Sequence, residues 1–253
     1  MTMGGFRLAG VIPARYYSSR FPGKPLADLN GHPMIYHVYQ QASKVVGLDR
    51  LVVATDDERI RDAVVAFGGE AMMTSSRHAT GTDRVAEAVQ QLEAELIVNI
   101  QGDEPLLKPE MVAQVLEPLL TEETVRVTSL ISPVREIAEA QDLNVVKVVT
   151  DLAGDILCYS RAPIPYPKER RLHRLSKQLG LYAFHREALE RFAQWEPTPL
   201  EITEGVELFR FLEHGWRIRG VETAHGTAAV DTPADLKRVC RLLRRAPKVS
   251  CDA

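Results

Sequence analysis

The stretch Val11–Ile35, VIPARYYSSRFPGKPLADLNGHPMI, is the part of this sequence that says most about its fold. It begins as an apolar, β-prone run and continues into a loop that carries three cations, Arg15, Arg20 and Lys24. The loop holds no carboxylate, because the first acidic residue of the chain is Asp28. With its hydroxyls and backbone amides, such a loop is suited to cradle a polyphosphate, although a solvated basic loop would show the same charges. It matches neither a Walker A loop nor a GxGxxG dinucleotide turn.

Short apolar runs alternate with amphipathic helical stretches through the first half of the chain. This alternation predicts an α/β fold with a mostly parallel, Rossmann-like sheet covered by helices. Strands are predicted near Leu8–Pro13, Arg50–Thr55, Glu70–Met73, Glu95–Ile100, Arg126–Ile131 and Val145–Thr150. Helices are predicted between them, near Pro33–Val46, Glu58–Phe67, Thr82–Leu92 and Pro109–Leu120.

The pattern changes after Thr150. A turn, a strand and a proline-rich segment follow, and then an apolar strand runs from Leu179 to Phe184. Near the end, Thr232 is suited to cap a helix that has Pro233 at its first position, and this helix returns the chain to the main sheet. We therefore predict an α/β core formed by residues 1–150 and 228–253, with a smaller α+β lobe at 151–227.

The composition argues against several classes of protein. The formal net charge is 31 − 34 = −3, so bulk electrostatics do not suggest a nucleic-acid partner. The three cysteines are scattered and form no CxxC, which indicates neither a disulfide framework nor a zinc site and fits a reducing cytoplasm. No apolar run approaches the length of a membrane span, and neither HExxH nor GxSxG occurs.

Two aspartates are candidate metal ligands. Asp103 follows the predicted strand that ends at Ile100, and Asp231 is interpreted as lying between the last strand and the last helix. Ligands of open parallel sheets bind beyond the carboxyl ends of the strands, and Mg²⁺ takes one or two carboxylates together with phosphate oxygens. Each aspartate alone is more often a turn or helix-start residue, so the metal interpretation requires the fold to bring them together.

The segment MTSSRHATGTDR, residues 73–84, connects the third predicted strand to a helix. Thr82 is interpreted as the N-cap of this helix, with Asp83 in its first turn. Hydroxyls and amides at this point could read the edge of a base. A polar connection followed by a capped helix is an equally good interpretation.

Taken together, these stretches resemble one family, the cytidylyltransferases that activate 3-deoxy-manno-octulosonate (Kdo), also called CMP-Kdo synthetases. The motifs that carry the resemblance occur in the family's order over nearly the whole chain: IPARYYSSRFPGKPL, NGHPMI, VATDDERI, MTSSRHATGTDR, NIQGDEP, VKVV, YSRAPIP, LGLYAF, PLE and VDTPADL. The resemblance implies a fold of the nucleotide-diphospho-sugar transferase type and a homodimer built through the smaller lobe, which would also bind the acceptor. It further implies magnesium-dependent transfer of CMP from CTP to a sugar acid, with release of pyrophosphate.

The resemblance also assigns residues to the site. It implies catalytic roles for Arg15, Lys24, Asp103 and Asp231, with Asp103 and Asp231 as the magnesium ligands. Nucleotide binding is assigned to Ala14, Arg15, Ser18, Arg20, Lys24, Thr74, Gly81, Thr82, Arg84 and Asp103. Binding of the sugar acid is assigned to Gln101, Arg161, Gln178, Tyr182, Glu207 and Leu208.

Two positions depart from the family pattern, and both belong to the expected acceptor site. The chain has KQLG where KHLG is usual, which places Gln178 at a sugar-facing histidine, and ELFR where EQLR is usual, which places Leu208 at a sugar-facing glutamine. A leucine there would leave a substrate hydroxyl without its partner. These departures keep open a second hypothesis, CMP transfer to another small acid such as a modified octulosonate or a phosphonate-type carboxylic acid. A catalytically silent nucleotide-binding subunit is a third hypothesis.

Overall fold

The computed structural model describes residues 7–18, 21–166 and 175–245, and within these ranges the chain forms a sheet of nine strands with helices on both faces. The strands are β1 Leu8–Ala14, β2 Asp28–Leu29, β3 His32–Pro33, β4 Arg50–Thr55, β5 Ala71–Met73, β6 Leu96–Ile100, β7 Val127–Pro133, β8 Lys147–Thr150, β9 Ile156–Ser160, β10 Ser176–His185 and β11 Arg219–Glu222. The helices are α1 Met34–Ala42, α2 Glu58–Ala66, α3 Gly81–Val89, α4 Pro109–Thr121, α5 Ile137–Gln141, α6 Arg186–Phe192, α7 Pro199–Glu204, α8 Phe209–Glu213 and α9 Pro233–Arg245.

The main sheet has the order β11-β7-β10-β6-β1-β4-β5, while β2 and β3 form a separate hairpin. Strands β6, β1, β4 and β5 are mutually parallel, and β11 is parallel to β7. Strand β10 is antiparallel to both of its neighbours, β6 and β7. The predicted α/β fold with a mostly parallel sheet is therefore confirmed, and the carboxyl ends of β1, β4 and β6 meet at one edge.

The predicted strands and helices of the first half agree with the structure to within a few residues, but two strands differ in their placement. The predicted strand at Val145–Thr150 is β8, which pairs antiparallel with β9 and β10 off the main path of the sheet. Strand β10 was assigned to the smaller lobe, yet it lies inside the main sheet between β6 and β7. The two predicted parts of the chain thus share one sheet, and a boundary at residues 150 and 228 remains a prediction.

Hydrophobic packing on both faces holds the sheet in place. Every residue of β1 and of β6 is buried, as expected for strands covered on two sides. Helices α1, α2 and α4 pack on one face through one core cluster, and α3, α6 and α8 contribute to a second cluster on the other face. In the described ranges, no helix combines the length and apolar character needed to cross a membrane.

Strand β10 carries an irregularity at the end that approaches the ligand edge. Its register with β7 shifts between Gln178 and Tyr182, which is typical of a β-bulge. Gly180 lies in this interval, and a Cβ added there would be 2.9 Å from Cβ and 3.0 Å from Cγ of Gln101. A glycine therefore allows β10 to approach the loop after β6 this closely.

Capping boxes fix the starts of three helices. Helix α3 is capped by Thr80, whose hydroxyl accepts from the N–H of Asp83 at 3.1 Å, so the predicted N-cap at Thr82 is wrong. The predicted cap of α9 is confirmed, because Oγ1 of Thr232 accepts from the N–H of Asp235 at 3.2 Å. Helix α7 has the third box, formed by Thr198 and Glu201. Reciprocal bonds of this kind satisfy amides that the helix itself leaves free.

Candidate active site

A cavity of about 220 Å³ lies beyond the carboxyl ends of β1 and β6. A larger cavity of about 1000 Å³ adjoins it and reaches β10 and the loop before α8. The two cavities share part of their lining, so ligands in them would be neighbours. The shared residues are Arg15, Ala79, Thr80, Gly81, Gln101, Asp103 and Asp231.

The basic loop after β1 forms one wall of the smaller cavity. It is lined by Ala14, Arg15, Ser18 and Lys24, four of the residues that the resemblance assigns to nucleotide binding, whereas Arg20 lies outside the described residues. Gly23 holds the loop closed with a positive φ of 70° and an N–H that donates to the carbonyl of Tyr16 at 2.8 Å. The wall therefore presents cationic side chains to whatever occupies the cavity.

Lys24, Asp103 and Asp231 come together across the smaller cavity. The ammonium nitrogen of Lys24 lies 2.7 Å from Oδ2 of Asp103 and 3.4 Å from Oδ1 of Asp231. The N–H of Val230 donates to the carbonyl of Asp103 at 2.9 Å, which ties the two segments together. Asp231 does not follow a strand as expected, since residues 228–230 are irregular, and its place is set by this backbone bond and by the start of α9.

This pair of aspartates fits a magnesium ion. Both side chains keep access to the cavity, and in the structure an ammonium group already lies between them, where a cation is favoured. Within the described ranges, no group of three or more histidine, cysteine or acidic side chains could hold a metal. Two carboxylates facing a phosphate-binding loop are the ligand set that Mg²⁺ commonly uses, because phosphate and water supply the rest of its octahedron.

One wall of the smaller cavity is built around Arg84. Its guanidinium is almost fully buried, donates to Oγ1 of Thr74 at 2.6 Å and lies 3.4 Å from Oδ2 of Asp56. Arg84 and Gly81 line the cavity, whereas Thr74 lies behind Arg84 and holds it in place. The segment predicted to read a base therefore borders the cavity.

Thr82 does not line either cavity, which corrects its assignment as a nucleotide-binding residue. Its side chain is fully buried, and its hydroxyl accepts from Nδ2 of Asn99 at 3.1 Å. Asn99 in turn accepts from Nε2 of Gln101 at 3.2 Å, and the N–H of Thr82 donates to Oε2 of Glu207 at 2.9 Å. Thr82 thus connects Gln101 and Glu207 through buried hydrogen bonds.

The larger cavity contains most of the side chains predicted to bind the acceptor. Gln101, Arg161, Gln178, Tyr182 and Glu207 line it. Backbone carbonyls hold the Arg161 guanidinium, with Nε 2.7 Å from the oxygen of Glu204. Burial raises the pKa of Glu207, partly offset by its bond from Thr82. Burial, followed by the charge of Glu207, also raises the pKa of the Tyr182 phenol.

Leu208 does not face the acceptor, so this prediction is wrong. Its side chain is 0% exposed and belongs to a hydrophobic core cluster. Leu208 is the N-cap residue of the short helix α8, and Glu207 rather than Leu208 lines the larger cavity. Of the two departures from the family pattern, only Gln178 therefore borders the site.

Thr80, His78 and Glu104 are among the lining residues that were not singled out from the sequence. Thr80 lines both cavities, and the T-x-x-D pattern of its capping box was a usable signal. His78 lines the smaller cavity and pairs with Glu87. Glu104 lines the larger one, where burial and then the neighbouring charge of Asp103 raise its pKa to about 7.

Comparison with known proteins identifies the family. A sequence model of the family described as Cytidylyltransferase matches residues 9–218. The chain belongs to the cytidylyltransferase family. It is 45% identical over 251 residues to the 3-deoxy-manno-octulosonate cytidylyltransferase of Geobacter metallireducens, covering 94% of this chain and 98% of the relative. The relative of the same name from Geobacter sulfurreducens is 46% identical over 248 residues, covering 94% and 99%.

Solved structures resemble this cytidylyltransferase in fold. A structure of CMP:2-keto-3-deoxy-manno-octonic acid synthetase complexed with CTP superimposes with a TM-score of 0.88 at 42% identity, covering 94% of this chain and 98% of that one. The 4-diphosphocytidyl-2C-methyl-D-erythritol synthase of Anaerococcus prevotii superimposes with a TM-score of 0.64 at 14% identity, covering 95% and 97%. At that identity the second likeness shows the fold alone.

Proposed function

We propose that this cytidylyltransferase transfers CMP from CTP to 3-deoxy-manno-octulosonate and releases pyrophosphate. The observation that carries the proposal is the sharing of Gln101, Asp103 and Asp231 between a small cationic cavity and a larger polar one. Two substrates bound in such cavities would meet at the shared wall. The relatives named for this activity and the related structure with CTP support the same choice of donor and acceptor.

The donor is CTP in the smaller cavity. Arg15 and Lys24 bind the triphosphate and stabilise the charge that develops on pyrophosphate as it leaves. Arg84 and the backbone around Gly81 lie where the base is expected, and the buried contacts of Arg84 keep it rigid. Because the chain fixes these groups in advance, little reorganisation is needed when the α-phosphorus is attacked.

Magnesium is the proposed cofactor, held by Asp103 and Asp231. When bound, it would neutralise phosphate charge and lower the pKa of the attacking hydroxyl. Lys24 bonds to both carboxylates in the structure, so binding of the ion requires its ammonium to turn toward the phosphates. Lys24 then has two roles. Without substrate it is the counter-ion of the two aspartates, and with substrate it binds the phosphates.

The acceptor is the sugar acid in the larger cavity. Arg161 is suited to bind its carboxylate, since backbone carbonyls hold the guanidinium without neutralising its charge. Gln101, Gln178 and Tyr182 supply polar groups for hydroxyls along the same wall. Transfer to a different small acid rested on Gln178 and Leu208 together, and the burial of Leu208 leaves Gln178 alone to support it.

The decisive experiment measures pyrophosphate release by the purified protein with CTP, Mg²⁺ and a panel of acids. We expect turnover with Kdo to exceed turnover with the other acids, and CTP to be preferred over UTP, ATP and GTP. Turnover with another acid alone would favour the second hypothesis. Binding of CTP without pyrophosphate release from any acid would favour a silent subunit.

A homodimer and a cytoplasmic location complete the proposal. Strand β9 pairs with β8, and beyond Ile156, whose N–H donates to the carbonyl of Ile218 at 2.8 Å, no described strand pairs with its other edge. Leu152, Leu157 and Tyr166 expose apolar side chains on and around β9, which supports burial against a second copy. Light scattering at micromolar concentration tests the dimer, and a variant with Leu157→Lys should dissociate.

Free thiols at Cys158 and Cys240 fit a reducing compartment.

A further inference from the structure

Arg210 is the centre of a buried ion cluster. The proposed reaction assigns it no role. It lies in α8 and is 1% exposed. Its Nε and Nη2 donate to the two carboxylate oxygens of Glu201 at 2.8 and 2.5 Å. Its Nη1 donates to Oδ1 of Asp83 at 2.7 Å, and its guanidinium carbon lies 3.9 Å from the centre of the Phe192 ring. The fork of one arginine thus joins two carboxylates from different helices.

Both carboxylates already have another task. Asp83 accepts the N–H of Thr80 at 3.0 Å in the capping box of α3, and Glu201 accepts the N–H of Thr198 at 3.1 Å in the capping box of α7. Arg210 therefore connects the first turns of two helices through the residues that cap them. Displacing its guanidinium would disturb both caps at once.

The two helix starts joined in this way border the two cavities. Thr80 and Gly81, at the start of α3, line both cavities. Glu201, in the first turn of α7, lines the larger cavity alone. Glu207 lies three residues before Arg210 and accepts the N–H of Thr82, which adds a second link from this segment to α3.

Stability alone does not explain such a cluster. A buried ion pair or triad can often be replaced by apolar residues of similar volume without loss of stability, since desolvation of the charges offsets their attraction. Well-attested uses of such groups instead exploit their directional geometry to fix one arrangement of packed elements. The hydrogen bonds of Arg210 join two helix starts that border the two cavities.

We propose that Arg210 is a positioning residue that fixes the start of α3, beside the nucleotide, relative to the start of α7, beside the acceptor. It touches neither substrate and acts through Asp83 on the donor side and through Glu201 on the acceptor side. The inference rests on the proposed function, because it assigns the two cavities to CTP and to the sugar acid.

The test compares steady-state kinetics of variants. In Arg210→Lys the charge remains but the fork is lost, and we expect kcat to fall about tenfold or more, with KM rising for both substrates. Asp83→Asn keeps the cap and removes the charge, so KM should rise for CTP, with a smaller rise for the sugar acid because Thr80 and Gly81 border both cavities. Glu201→Gln should raise KM mainly for the sugar acid. This division between substrates is a readout that a merely structural role would not produce.

Arg186→Lys is the matched control. Arg186 donates to the backbone carbonyls of Ala94 and Val89 through its guanidinium, and none of these residues lines either cavity. Its replacement should therefore lower the melting temperature and leave both KM values unchanged. Equal kinetic constants for Arg210→Lys and the wild type would overturn the proposal. If Arg210→Lys does not fold, unchanged or undivided KM values in the two carboxylate variants would overturn it. Inactivity of the wild-type protein with CTP and Kdo would instead reject the proposed function.

Discussion

Lys24 and Asp103 form an ion pair across the smaller cavity, with the ammonium nitrogen 2.7 Å from Oδ2 of the carboxylate. The loop after β1 supplies the cation, and the loop after β6 supplies the anion. Because β1 and β6 are parallel neighbours, their carboxyl ends bring the two loops to one point. Two groups 79 positions apart in the sequence thereby become the centre of the site.

Replacing Lys24 by Met should make the protein respond more strongly to magnesium. Without the ammonium, Asp103 and Asp231 repel each other, which we expect to lower the free energy of unfolding by about 1–2 kcal/mol. Added Mg²⁺ should then raise the melting temperature of Lys24→Met more than that of the wild type, while turnover falls. Lys44→Met, an exposed lysine, is the control. A smaller magnesium response in Lys24→Met would contradict the metal site.

Asp103→Asn should abolish magnesium-dependent turnover without unfolding the protein. We expect kcat to fall at least about a hundredfold, because a neutral amide is a poor ligand for a hard cation. Pyrophosphate release gives the rate, and circular dichroism checks the fold. The control is Asp62→Asn, an exposed aspartate paired with Arg61 on α2. Near-normal activity in Asp103→Asn would remove this residue from the metal site.

Gly180→Ala should lower stability and weaken acceptor binding together. The added methyl would meet Cβ of Gln101 at 2.9 Å, and since that atom is close to the backbone it cannot turn away. Overpacking of this kind costs about 1–3 kcal/mol, which chemical denaturation would measure. KM for the sugar acid should rise because Gln101 is displaced. Gly226→Ala, where the methyl meets nothing within 4 Å, should keep wild-type values.

Glu207→Gln should make the free energy of unfolding depend less on pH. Burial raises the pKa of Glu207 above its ordinary value of 4.5, so the folded protein binds this proton more tightly than the unfolded chain does. The contribution is therefore fully present below pH 4.5 and is lost as pH rises through the raised pKa. The glutamine cannot titrate but still accepts the Thr82 N–H. Urea unfolding at several pH values should show the two curves diverging, and parallel curves would contradict the shift.

Arg161→Lys should weaken binding of the sugar acid and leave binding of CTP unchanged. The guanidinium is held by carbonyls on two sides, 2.7 Å from Glu204 and 3.1 Å from Leu143, and a single ammonium cannot reproduce both bonds while facing a carboxylate. We expect KM for the sugar acid to rise about tenfold or more, with KM for CTP unchanged. Equal increases for both substrates would place Arg161 outside the acceptor site.

The sequence could place the residues of the site that lie at strand ends, for a physical reason. Apolar runs and the loops that follow them are local signals, so the positions of Lys24 and Asp103 could be placed at strand ends. The cap of α3 is also a local signal. The capping-box pattern requires an acidic residue three positions after the cap, and Thr80 meets this requirement whereas the predicted Thr82 does not. That error came from overlooking a pattern that was present.

Other features depended on contacts that no local pattern reveals. Leu208 packs into the core because of the orientation of α8, which its contacts with distant strands and helices determine. Arg210 finds Asp83 at a separation of 127 residues. The sequence of β10 predicts an apolar strand. Its position between β6 and β7 depends on how all the strands of the sheet pair.

The reversed direction of β10 has a consequence for how such enzymes diversify. Parallel strands reach the ligand edge with their last residues, whereas β10 reaches it with its first, from Ser176 to Tyr182. Part of the wall of the larger cavity is therefore encoded in a stretch of chain separate from the strand ends that border the smaller cavity. For the proposed reaction, mutation or insertion in that stretch would change the fit of the acid while leaving the strand ends that border the smaller cavity unchanged.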